Sequence, residues 1–202
     1  MNLAVKIFAA VGVVALVATA VLVVGAQHLA ATGLDARSLP GAMEVQLART
    51  ARRAALPVEY TRLENPVRLD SELRASAMAH WADHCASCHS NNGSGTTALG
   101  LSMYPRPPDL RAAETQSESD GFLYHSIENG IRLSGMPAWG KGGTADTETW
   151  ALVAFIRYLP SLTVEEGAAM KAMNPVSAAD VKAAKAEDAF LNGENEGPPQ
   201  SL

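Results

Sequence analysis

Residues 83–93 read Asp83-His84-Cys85-Ala86-Ser87-Cys88-His89-Ser90-Asn91-Asn92-Gly93. They hold the only two cysteines of a 202-residue chain, two residues apart, with a histidine directly after the second. Thiols this close in sequence cannot staple distant parts of a fold. Three chemistries use the spacing: a local disulfide, part of a zinc site, or covalent attachment of a cofactor. A redox disulfide of this type belongs beside alternating strands and helices, and no such alternation is visible. Zinc takes about four ligands, and Cys85, Cys88 and His89 leave one to be recruited from elsewhere.

The compartment bears on the choice. Residues 7–26, IFAAVGVVALVATAVLVVGA, carry no charge and a single hydroxyl, Thr19. Twenty residues of helix at about 1.5 Å each span about 30 Å, the thickness of a bilayer's hydrocarbon core. The segment reads as an uncleaved anchor or as a signal peptide. Its length exceeds the usual apolar region of a signal peptide, although Val24-Gly25-Ala26 offers a small-residue cleavage site. Lys6 before the span favours a cytoplasmic N-terminus. Either reading puts residues 27–202 outside the cytoplasm, in the periplasm of a bacterial cell, with one pass through the cytoplasmic membrane if the segment is kept.

In an exported chain with no other cysteine, C-x-x-C-H points to c-type haem. The thiols of Cys85 and Cys88 add across two vinyl groups, and the imidazole of His89 falls beneath the ring as an axial ligand. The opposite face of the iron then needs a ligand. Ile131–Gly140 reads IRLSGMPAWG, with Met136 between Gly135 and Pro137 in a glycine-rich loop. Glycine permits close approach to a flat ring, and proline stiffens the turn presenting the sulfur. A thioether suits haem iron. Met103 and His125 are weaker alternatives, and His80 and His84 read as surface or packing residues.

Cys85-Ala86-Ser87-Cys88-His89, a proline-rich middle loop and Gly135-Met136-Pro137 ahead of a final helix resemble a mono-haem class I c-type cytochrome over residues 71–162. The resemblance implies a small all-α fold around one covalent haem c, His/Met coordination by His89 and Met136, and electron transfer. In that family the first and last helices cross beside the haem, with Trp81 and Tyr158 as contact candidates.

The helix pattern agrees. Ser71–His84 has Ser71 as N-cap and apolar Leu73, Ala77, Met78 and Trp81 at helical spacing. Thr147–Leu159 has Trp150, Val153 and Ile156 on one face, and Pro160 stops it. Between them, YPRPPDLRAAETQ (104–116) opens with three prolines in four positions, which forbids helix there. A carbonyl near Pro107 or Pro108 is expected to accept the free ring N–H of His89, fixing its tautomer. Arg106, Arg132 and Trp139 are candidate partners for haem propionates.

The expected organisation is therefore all-α. An anchor or signal peptide (1–26) leads to a linker with a short helix (27–70), then a haem domain (71–162). An acidic extension (163–202) comes last, with helices at 164–173 and 178–191 and a disordered end. Net charge is +2 up to residue 70, −3 over 71–162 and −4 beyond. An acidic electron-transfer domain suits redox protein partners with a basic docking patch, at the membrane or inside a respiratory complex. It disfavours nucleic acid, and no small-molecule substrate is expected. The competing reading is a catalytic or gas-sensing haem, which requires a labile sixth ligand.

Overall fold

The computed structural model describes residues 2–176 and 178–192, and within them the chain is helical with no strands. The first helix, α1 (Leu3–Thr32), is predominantly apolar and is exposed from Leu3 to Ala31. It is long and apolar enough to cross a membrane. The one hydroxyl of its residues 7–26, Thr19, donates to the Ala15 carbonyl at 2.9 Å and is thereby satisfied inside the helix. A linker leads to α2 (Ala42–Ala54), and then to a tight turn, Val58–Tyr60, whose tyrosine is buried.

Helix α3 (Ser71–His80) is capped one residue earlier than its sequence implies. The cap is Asp70, whose carboxylate accepts the Leu73 N–H at 2.9 Å, and Ser71 is the first helical residue. The expected continuous helix to His84 is also interrupted. Residues Trp81–Cys85 form one wide π-helical turn, and α4 (Ala86–His89) resumes α geometry. The wide turn rotates α4 relative to α3, so Cys85, Cys88 and His89 do not continue the register of α3.

After the proline loop and a short α5 (Ala113–Gln116) come α6 (Asp120–Asn129) and α7 (Thr147–Tyr158). Asp146 caps α7 by accepting the Thr149 N–H at 2.8 Å. Pro160 ends α7 as expected, inside a closing turn at Leu159–Ser161. Helices α3 and α6 both pack on α7. Their shared core comprises Trp81, Tyr124, Trp150, Val153, Phe155, Ile156 and Leu159.

The tail contributes to the same core. Helix α8 (Val164–Lys171), two residues shorter than expected, is capped reciprocally by Thr163 and Glu166 and buries Met170 completely. Glu166 accepts the Tyr158 hydroxyl at 2.9 Å and lies 3.4 Å from Arg74, joining α8 to α7 and α3. Helix α9 spans Ala178–Leu191. The expected cap Ser177 and the expected disordered end (193–202) lie outside the described residues.

Candidate haem site

The two cysteines and His89 occupy one turn. Cys85 and Cys88 are unpaired thiols, both half-buried. The wide turn brings Trp81 back over this segment: its ring centroid lies 5.9 Å from that of His89, and its indole N–H donates to the Ser90 carbonyl at 3.0 Å. On its other side Trp81 meets Phe155 of α7 at 5.5 Å. The imidazole thus lies beside Trp81, which itself packs on α7. After His89 the chain reverses at Ser90, which has φ 65°, and Gly95 N–H returns to the His89 carbonyl at 2.9 Å. Thr97 locks the turn by donating to Ser87 O at 2.7 Å while accepting Gly100 N–H at 2.8 Å.

Burial sets the electrostatics. Desolvation pulls the His89 pKa down to about 4, so the imidazole is neutral at physiological pH, as metal ligation requires. Burial, assisted by the neighbouring Cys88, pushes the Cys85 thiol up to about 12. The expected bond from His89 to a proline carbonyl does not form. Nδ1 of His89 is buried without a hydrogen-bond partner. The Pro107 carbonyl instead sits against Gly95, where a β-carbon would lie 2.6 Å from it. Only glycine leaves room for that oxygen at this position.

Met136 stands in a self-bonded loop. Its carbonyl accepts Ile131 N–H at 3.1 Å, its N–H donates to Ser134 Oγ at 3.1 Å, and that hydroxyl donates to Ile131 O at 2.8 Å. The loop is fixed to the end of α6, whose last carbonyls lack helical partners. Trp139 N–H takes the Ile127 carbonyl and Gly140 N–H takes that of Glu128, both at 3.1 Å. The Met136 side chain is half-buried against the core that also packs Cys85. Met103 touches the same loop, its methyl lying where a β-carbon on Gly135 would stand.

The segment after Met136 is anchored by four buried or half-buried side chains. Glu128 accepts Gly142 N–H at 2.9 Å, and Tyr60 donates to Gly143 O at 3.1 Å. Trp150 donates to Thr144 O at 3.0 Å, and Tyr124 accepts Asp146 N–H at 2.9 Å. Gly142 and Gly143 have φ of 91° and 109°, a backbone region that side chains resist. Glu128, Tyr60 and Tyr124 were not singled out from sequence. A signal for Glu128 existed: it falls four residues after Tyr124, a charge on the apolar stripe of α6.

The remaining candidates are more peripheral. Trp139 is exposed and meets His84 edge-on at 5.3 Å, and His84 pairs with His80 at 4.8 Å. His125 lies against Tyr60 at 4.7 Å. Arg132 is exposed, whereas Arg106 has a buried, unpartnered Nε and donates through Nη2 to Arg37 O at 2.9 Å.

The model of the family "Cytochrome C oxidase, cbb3-type, subunit III" matches residues 73–156. Residues 73–156 are a c-type cytochrome domain. No curated protein matches the chain. A cytochrome domain implies haem, and the residues present fit one. Two neighbouring thiols suit covalent links to haem vinyl groups, and a neutral imidazole with an orphaned buried nitrogen and a soft thioether packed on the same core suit its iron. The cytochrome domain therefore serves haem-based electron transfer, and its apolar leading helix supports a membrane location.

Proposed function

We propose that this protein is a membrane-tethered electron carrier whose haem c would be held by Cys85 and Cys88 through its vinyl groups and by His89 and Met136 at its iron. When bound, the haem supplies reversible one-electron chemistry at its iron. The chain's part is to present a neutral imidazole, hold a sulfur on a fixed loop, and exclude water with Trp81, Phe155 and the α7 face. The observation that carries the reading is the pairing of a half-buried, uncharged His89 within C-x-x-C-H with a Met136 loop fastened to α6 and resting on the same core. Methionine opposite histidine raises the reduction potential. With two strong ligands, no position is left open for substrate or gas.

The leading helix, kept as an anchor, places the cytochrome domain on the periplasmic face, near membrane redox partners. The family match supports work within, or alongside, a respiratory oxidase complex. The test is spectroscopic. The reduced chain is expected to show a sharp low-spin c-type band, and the oxidised chain the weak far-red band of sulfur ligation. Met136→Ala is expected to abolish the far-red band and to admit carbon monoxide. Rapid carbon monoxide binding by the unmodified chain would overturn the carrier reading in favour of a catalytic or gas-binding haem.

A further inference from the structure

Helix α2 turns a mixed face to the cytochrome domain and leaves large apolar side chains on the face turned away from it. Successive helical residues are about 100° apart, so Val45, Arg49, Arg52 and Leu56 share one face, and Met43, Leu47, Thr50 and Ala54 the opposite one. The face turned to the domain is mixed, with half-buried Val45 and Leu56 beside the arginines, and polar contacts flank it. Arg52 stacks over the Phe122 ring at 5.4 Å, Arg53 pairs with Glu118 at 2.6 Å, and Glu44 accepts the Tyr104 hydroxyl. The face turned away is apolar: Met43 is 84% exposed and Leu47 70%. The one hydroxyl on that face, Thr50, is folded back on Gln46 O at 2.8 Å and offers no donor outward.

We infer that this outward face of α2 lies on the surface of a lipid bilayer. Only residues 33–41 separate α1 from α2, a reach of about 30 Å fully extended and less here. A turn at Asp35 shortens it, with Ser38 N–H on the Asp35 carbonyl at 3.1 Å. The linker's own leucines, Leu34 and Leu39, are 89% and 71% exposed. A stripe of two large apolar side chains is far short of the roughly 800 Å² per partner of a stable protein interface. It is enough for a helix already held at the membrane, where the tether supplies the proximity and only shallow insertion is needed. The partner is the acyl–headgroup boundary, with the arginines remaining on the domain side. Contacts from α2 to Tyr104 and Glu118, and from Arg37 to Arg106, then set the orientation of the cytochrome domain above the bilayer.

The inference rests on α1 remaining attached as a membrane span. The experiment uses the full, haem-loaded chain in vesicles of phosphatidylethanolamine and phosphatidylglycerol, with photoreactive benzoylphenylalanine replacing Leu47, Met43 or, as a control a quarter-turn away, Gln46. Irradiation is expected to give lipid adducts by mass spectrometry at positions 43 and 47 in several-fold higher yield than at 46. Equal yields, or adducts to a second copy of the chain, would overturn the proposal while the chain stays resistant to alkaline carbonate. A chain that carbonate strips from the vesicles would overturn the anchor as well.

Discussion

The Glu128 carboxylate accepts the Thr149 hydroxyl at 2.9 Å, joining the end of α6 to the start of α7 beneath the loop that carries Met136. Its other oxygen takes Gly142 N–H at the same distance, and only 1% of Glu128 is exposed. There is no space for a side chain at position 140, where a β-carbon would stand within 2.1 Å of the carboxyl oxygens. The loop, the carboxylate and α7 are therefore one unit.

Glu128→Ala is expected to lower unfolding free energy by about 3 kcal/mol, because two buried donors lose a charged acceptor. Glu128→Gln, which can still accept from Gly142 and donate to Thr149, should lose less than half as much. Urea unfolding of the three proteins checks both values. Equal losses would mean that the charge, rather than the hydrogen bonds, holds the loop.

Trp81→Ala should cost about 3–5 kcal/mol, as expected for a large buried aromatic. Trp81 is 2% exposed and sits between His89 and Phe155. Trp81→Phe retains the ring contacts and loses the bond to Ser90 O, a change of about 1–2 kcal/mol. Thermal denaturation of the two variants should separate packing from hydrogen bonding.

Two glycine substitutions should differ sharply. A β-carbon at Gly121 would stand 1.9 Å from the backbone carbonyl oxygen of Tyr60, which cannot move without unseating the linker. Gly121→Ala is expected to destabilise by about 3 kcal/mol or more. At Gly135 the obstacle is the Met103 methyl, the free end of a flexible side chain. Gly135→Ala should fold with a loss of about 1 kcal/mol or less. Comparing midpoints in denaturant tests the contrast.

Glu166 governs part of the acid response. The Thr163 backbone N–H, then the Tyr158 hydroxyl and Arg74, hold its carboxyl below the ordinary value of 4.5. The unfolded chain therefore binds this proton first as pH falls, so the stabilisation is complete above about 4.5 and is lost as pH drops through the depressed folded value. Stability against pH should fall less steeply below 4.5 in Glu166→Gln than in the unmodified protein. Identical slopes would exclude the group.

Much of this was legible in the sequence where a single segment decides its own structure. The apolar stretch at 7–26, the C-x-x-C-H turn and the periodic stripe of 147–158 each announce themselves, and the structure extends the first into α1 and matches the third as α7. The features that stayed hidden turn on competition between neighbouring groups or on partners far along the chain. Asp70 displaced Ser71 as cap because its carboxylate, a favoured acceptor, happens to reach Leu73 N–H. The π turn at Trp81–Cys85 has no periodicity of its own and is decided by where Trp81 must pack. The Pro107 carbonyl sits against Gly95 rather than His89, a close approach that only the folded loop creates. Glu128 stands out as a charge on the apolar stripe of α6, but its role does not, because its partners lie 14 and 21 residues downstream.

The half-buried position of Cys85 also bears on the chemistry of the folded chain. Burial, with Cys88 beside it, pushes the thiol up to about 12, and the thiolate is the reactive form. The closed domain therefore shields this sulfur from stray oxidation and exchange.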